Sequence, residues 1–136
     1  MIDYKTNPMN KEVYSDNKNI QCLEHGTIDG FNYYIISYSS HPCGYVEIPR
    51  NHPFFRMEYE KIEWEHGIYA YGGLTFGRDH LLNLKDSWFI GWDYAHYGDF
   101  YNVDYRPDNF GVKHTLDEIR KKEKNVIQQI INYRGE

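Results

Sequence analysis

Only two cysteines, Cys22 and Cys43, occur in the 136 residues, too few for the disulfide framework of a small secreted domain. No apolar stretch is long enough to cross a bilayer. The longest, such as Tyr33-Tyr34-Ile35-Ile36, falls well short of the ~20 residues a spanning helix needs. The start, Met1-Ile2-Asp3-Tyr4-Lys5, is polar and lacks the basic-then-apolar layout of a secretory signal. These shortages predict a chain of the reducing cytoplasm with no membrane segment and no native disulfide. Positive charge is also scarce: fifteen Lys and Arg stand against twenty Asp and Glu, for a net charge of −5. A duplex-binding protein needs a basic face to neutralise phosphates, so duplex nucleic acid is not an expected partner. One local exception is Arg120-Lys121-Lys122 with Lys124, which reads either as a solvated helix face or as a phosphate contact.

Aromatic side chains are abundant instead. Fourteen Tyr, seven Phe and three Trp make up 18 % of the chain. Tyr and Trp join a large apolar body to a polar tip, which suits a β-rich core first and, as the sharper reading, a cleft that stacks a planar ligand.

The local pattern predicts strands followed by one terminal helix. Residues 1–19 are polar and aperiodic, a loosely ordered arm or a poor first helix. Phe31–Tyr38 is a strand rich in aromatic and β-branched residues. Gly44–Ile48 forms a second, ended by Pro49, and a short helix is expected over Phe54–Glu60. Ile62, Trp64 and His66 alternate with Lys61, Glu63 and Glu65, which predicts a half-buried strand. Residues 69–76 read as a strand broken at Gly72-Gly73, and Trp88–Trp92 as another. Thr115 followed by Glu118 is a capping box opening a helix. Its apolar stripe, Leu116, Ile119, Val126 and Ile130, is interrupted at Lys122-Glu123 and should cover the sheet or a second subunit. The expected fold is a single α+β domain over residues 20–136, with a mostly antiparallel aromatic-rich sheet and a C-terminal amphipathic helix. A homo-oligomer is compatible with that stripe.

Several residue groups could carry chemistry. Asp93, His96 and Asp99 leave a strand end on a Gly-containing loop, where a carboxylate can orient a histidine general base. The alternative is an Asp-capped turn, and no nucleophile motif accompanies the set. Gly72-Gly73-Leu74-Thr75 could let backbone approach a phosphate, but it lacks the P-loop lysine and the spacing of a dinucleotide fingerprint, and a β-bulge or barrel corner is the favoured reading. Cys22-x-x-His25 and His41-x-Cys43 offer four zinc-type donors at a spacing too tight for a zinc finger. A buried Cys43, and a turn at His25-Gly26, account for them without metal. No cofactor is implied.

The ordered pieces His66-Gly67, Gly72-Gly73-Leu74-Thr75-Phe76, Trp88-Phe89-Ile90-Gly91 and Asp93-Tyr94-Ala95-His96-Tyr97-Gly98-Asp99 follow Cys43-Gly44-Tyr45-Val46 and His52-Pro53. This series resembles a large family of small phage and prophage proteins with the pattern CGYV…P..HP…HGGLTY…WWIGFDCAHAGD and a closing helix. The likeness runs over roughly residues 41–131. It implies a phage context and the cytoplasm of a host cell, and no particular reaction. Two positions depart from the pattern: Tyr71 stands where the family has His, and Tyr94 where it has Cys. Tyr replaces either more readily in stacking or hydrogen bonding than in a zinc site, so the departures speak against a shared metal centre. The residues His66, Tyr71, Gly72, Gly73, Thr75, Trp92, Asp93, His96 and Asp99 are therefore expected to hold a nucleotide-like small molecule, in a protein that antagonises host defence. Two alternatives stay open. One is a small phosphodiesterase using His96 with Asp93 or Asp99, and the other an inhibitor that binds a host defence protein.

Overall fold

In the computed structural model the described residues are 13–38, 41–94 and 115–133. Five strands form one antiparallel sheet: β1 (Ile20–Ile28), β2 (Phe31–Tyr38), β3 (His41–Glu47), β4 (Phe76–Arg78) and β5 (Phe89–Asp93). Their spatial order is β1-β2-β3-β5-β4. Two helices complete the α+β fold, α1 (Tyr59–Trp64) between β3 and β4, and α2 (Leu116–Asn132) at the C-terminal end. None of the described helices is long and apolar enough to cross a membrane.

Both faces of the sheet are covered, which is why β2 reads as an almost unbroken apolar run rather than an alternation. Phe31, Tyr33 and Ile35 point to one face, with Val46, Ile48, Ile90 and Trp92, and α2 packs there through Ile119, Val126, Ile127 and Ile130. Tyr34, Ile36, Cys43, Tyr45 and Phe89 fill the other face beneath Leu81 and Leu84. Of the segment assigned to an N-terminal arm, residues 13–19 are described. Val13 is buried in that second cluster, and the Tyr14 N–H donates to Asn83 Oδ1 at 2.8 Å.

Several local expectations need correction. Residues Tyr59–Trp64 are helical, not a strand through Ile62 and Trp64: only Ile62 is buried, and Trp64 is 81 % exposed. The helix expected over Phe54–Glu60 thus begins late, after a series of turns. Residues 69–75 lie outside any strand, and β4 is only Phe76–Arg78. His25 and Gly26 lie within β1, opposite Tyr34 and Tyr33, rather than in a turn. On α2, Leu116 is exposed, whereas Glu123 continues the buried stripe instead of interrupting it.

The start of α2 follows its sequence signal. Thr115 has extended backbone, and its hydroxyl accepts the Glu118 N–H at 3.2 Å. Thr115→Ala should therefore lower stability by about 1 kcal/mol, read as a shifted urea midpoint with unchanged slope. Farther along, Arg120 makes a two-pronged ion pair with Glu24 of β1, both contacts at 2.6 Å, and a third contact with Asp117. Tyr33 Oη donates to the same Glu24 carboxylate at 2.7 Å. The Arg120 guanidinium holds the Glu24 carboxyl below its ordinary range.

Two buried carboxyl groups sit on opposite faces of the sheet. Glu47 is fully engaged, accepting from Asn32 Nδ2 (3.2 Å), Tyr34 Oη (3.0 Å) and Ser87 Oγ (2.7 Å). Glu123 is not. Its Oε1 accepts the Tyr45 N–H at 3.0 Å, while Oε2 has no partner among the described residues. Room for it exists because Gly44 has no side chain: a Cβ there would lie 2.7 Å from Glu123 Oε1 and 2.9 Å from the Trp92 ring. Burial, reinforced by the Glu24 charge, pushes the Glu123 carboxyl well above its ordinary value, so the neutral form is favoured in the fold.

Candidate functional site

A groove of about 450 Å³ runs between the segment Tyr69–Tyr71 and the exposed side of α2. The segment is fixed to the helix by one side chain. Gln129 Oε1 accepts the Tyr69 N–H, and Gln129 Nε2 donates to the Tyr69 C=O, both at 2.7 Å. This two-way clamp on the main chain leaves the Tyr69 ring 68 % exposed. Gln129 Nε2 also donates to Asn125 Oδ1 at 2.8 Å, which positions the Asn125 amide at the groove.

Tyr71 forms the inner wall. Its ring stacks on Tyr94 with centroids 4.9 Å apart and planes 17° from parallel. Tyr94 is fully buried, and its hydroxyl accepts Trp92 Nε1–H at 3.1 Å. The Tyr71 ring is thus backed by a ladder of aromatic groups reaching the core, a rigid wall with little rotamer freedom to lose on binding. Lys122 Nζ lies 5.2 Å from the Tyr71 centroid, within cation–π range. Lys121 and Glu118 complete the helical side. A pocket of this volume with aromatic walls, ammonium groups and the Asn125 amide suits a small, planar, anionic molecule.

The sequence-derived residues divide around this groove. Tyr71 lines it directly. Trp92 lies in the core behind it and supports it through Tyr94. Gly72 and Gly73, with φ of +69° and +95°, make a tight turn after Tyr71 rather than a bulge in a strand. That turn already has an anion of its own: Glu63 Oε2 accepts the Leu74 N–H at 2.7 Å and would lie 3.1 Å from a Cβ on Gly73. Thr75 is exposed, and its N–H donates to the Gly91 C=O at 2.9 Å, extending the β4–β5 pairing.

His66 belongs to a separate aromatic cluster. Its Nδ1 is 2.9 Å from Tyr133 Oη, and the ring packs on Phe54 and Tyr133. Nearby, His52 Nδ1 accepts the Phe54 N–H, so Nε2 carries the proton shared with the Ile130 C=O at 3.2 Å. Burial lowers the His52 pKa, and this neutral imidazole acts as a bracket between the β3–α1 turn and the end of α2. Asp93 ends β5 opposite Cys43. Its partners in the catalytic alternative, His96 and Asp99, lie outside the described residues.

The zinc donors do not come together. Cys22 and Cys43 each pair with Ile36 from opposite sides of β2. Two strand spacings, about 10 Å, separate them, beyond the reach of a disulfide and of one metal ion. Both thiols are free. Burial, with a further contribution from Asp93, pushes Cys43 up to about 12, so it is not a thiolate at neutral pH. Among the described residues no group of three or more His, Cys, Asp and Glu is placed to hold a metal ion.

Sequence reading identified Tyr71 and the basic cluster but not Tyr69, Asn125 or Gln129, because their convergence depends on pairing residue 69 with residue 129. Comparison with protein-family models, with curated proteins and with solved structures finds no match.

Proposed function

We propose that this protein captures a nucleotide-like small molecule in the groove between Tyr69–Tyr71 and α2. One observation carries the reading: an aromatic wall backed by Tyr94, with the Lys122 ammonium over Tyr71 and Lys121 beside it, lines a cavity of about 450 Å³. The base stacks on the tyrosine side, the phosphate lies toward the ammonium groups, and the Asn125 NH₂ donates to an acceptor on the base. In the phage context that the motif series suggests, capture in the host cytoplasm withdraws a signalling nucleotide from a defence system. That role needs binding without turnover, and the candidate base His96 of the hydrolase reading is not among the described residues that line the groove.

The test is incubation of the purified protein with cyclic and linear nucleotides, followed by heat release and chromatography. Intact nucleotide should be recovered. Tyr71→Ala should weaken capture roughly ten- to hundred-fold, the effect of losing one stacking aromatic. A cleaved product that disappears with His96→Ala would instead establish the hydrolase alternative. Retention of no nucleotide at all would overturn the binding proposal.

A further inference from the structure

A second hollow of about 380 Å³ lies on the other flank of α2, between the helix and the β1–β2 turn. Its walls include Thr27, Ile28, Asp29 and Lys124. Lys121 lines both this hollow and the aromatic groove. Lys121 is the lining residue the two cavities share, so its ammonium group is within reach of a ligand seated in either.

The charges along this path are unevenly committed. Arg120 is held by Glu24 and Asp117, which also neutralises the Asp117 carboxylate. The carboxylate of Asp29 accepts Gln128 Nε2 at 2.5 Å. Lys121 and Lys124 are exposed and form no ion pair among the described residues. Two exposed ammonium groups one helical turn apart, without an ion-pair partner among the described residues, make a local anion-attracting strip on a chain of net charge −5. Glu118 is the carboxylate on the groove side, and it directs phosphate away from its own end and toward Lys121.

Building on the proposed nucleotide capture, we infer that the ligand carries two separated phosphates: a dinucleotide whose first unit fills the aromatic groove and whose second phosphate crosses Lys121 to Lys124. The groove alone accommodates a mononucleotide. The second hollow adds affinity through charge more than through stacking, because its lining is aliphatic and polar rather than aromatic. Dinucleotide binding therefore has the steeper salt dependence.

Calorimetric titration separates the possibilities, with each nucleoside 5′-monophosphate and the matching 5′-phosphorylated homodinucleotide as probes. For at least one base, the dinucleotide should bind about tenfold or more tightly than the monophosphate, in line with one added charge-assisted contact. Lys124→Ala should remove that advantage and leave the monophosphate affinity unchanged. Equal affinity for both probes, or a Lys124→Ala loss shared by both, overturns the two-phosphate inference while nucleotide capture stands. Failure of every probe to bind overturns the capture proposal and the inference with it.

Discussion

Glu123→Gln should make the protein more stable than its parent at pH 8 and nearly remove the difference at pH 5. Glu123 is completely buried, and one carboxyl oxygen is unpartnered among the described residues. Its pKa in the fold lies well above the ordinary value, by burial first and by the Glu24 charge second, opposed by the Tyr45 N–H. In the unfolded chain the group returns to about 4.3. Between those two values the folded state binds the extra proton, so stability falls as pH rises, at roughly 1.4 kcal/mol per pH unit. The contribution is complete below the unfolded pKa and is lost as pH climbs through the folded one. Glutamine keeps the acceptor for Tyr45 and cannot ionise, which removes this slope. Glu24 acts in the opposite sense: its folded pKa is depressed, so its contribution is present above the unfolded value and lost as pH falls through the folded one. Thermal unfolding of parent and variant at several values between pH 5 and 8 checks the prediction. Parallel curves would show that Glu123 does not hold a proton in the fold.

Gly91→Ala should be among the most damaging single-methyl changes in the sheet. An added Cβ would lie 2.4 Å from Tyr45 Cδ1 and 2.8 Å from the Gly44 carbonyl oxygen. The carbonyl is backbone in β3, paired across to β5, and cannot withdraw without breaking the ladder. Nor is the Tyr45 ring free to move. Its hydroxyl is hydrogen-bonded to Tyr38 Oη at 3.0 Å, and its ring makes a T-shaped contact with Phe76 at a 5.0 Å centroid distance. Overpacking of this kind costs about 3 kcal/mol, or roughly 10 °C in melting temperature. Gly77→Ala is the comparison, because its Cβ would meet the Tyr59 backbone N at 3.2 Å, a contact that asks for a shift of only a few tenths of an ångström. Equal melting temperatures for the two variants would contradict the packing argument.

How far the sequence reveals the fold depends on whether burial is two-sided, one-sided or negligible. Strand β2 was legible because both its faces are buried and FNYYIISY is apolar almost throughout. Helix α2 was legible because Thr115 caps it and its apolar residues recur over several turns. Strand β1 escaped notice: as an edge strand it is mostly half-buried, and IQCLEHGTI carries little alternation. Helix α1 was misread because Ile62, Trp64 and His66 alternate by accident, Trp64 being turned to solvent. Glu123 looked like a break in the helical stripe, since nothing in the linear pattern announces the cavity that Gly44 leaves for it. At the groove, motif reading reached Tyr71 and composition reached the lysines. The Gln129 clamp and the Tyr94 backing are tertiary, and no local spacing encodes them.

The strand order has a consequence for how the molecule assembles. Strands β1, β2 and β3 follow one another as neighbouring hairpins, so their pairing closes only short loops. Strand β5 joins β3 across residues 48–88, and α2 arrives later still in the chain, which places both at the slow, high-contact-order end of folding. The groove is built entirely from that late half: Tyr69–Tyr71, the Tyr94 that follows β5, and α2. A molecule held there, as proposed, would bridge the parts that close last, and its binding energy would resist their separation before it touched the β1–β3 meander. Occupancy by the proposed ligand would act as a latch on the final docking step, and the liganded protein would differ from the free one chiefly in how slowly its closing elements open.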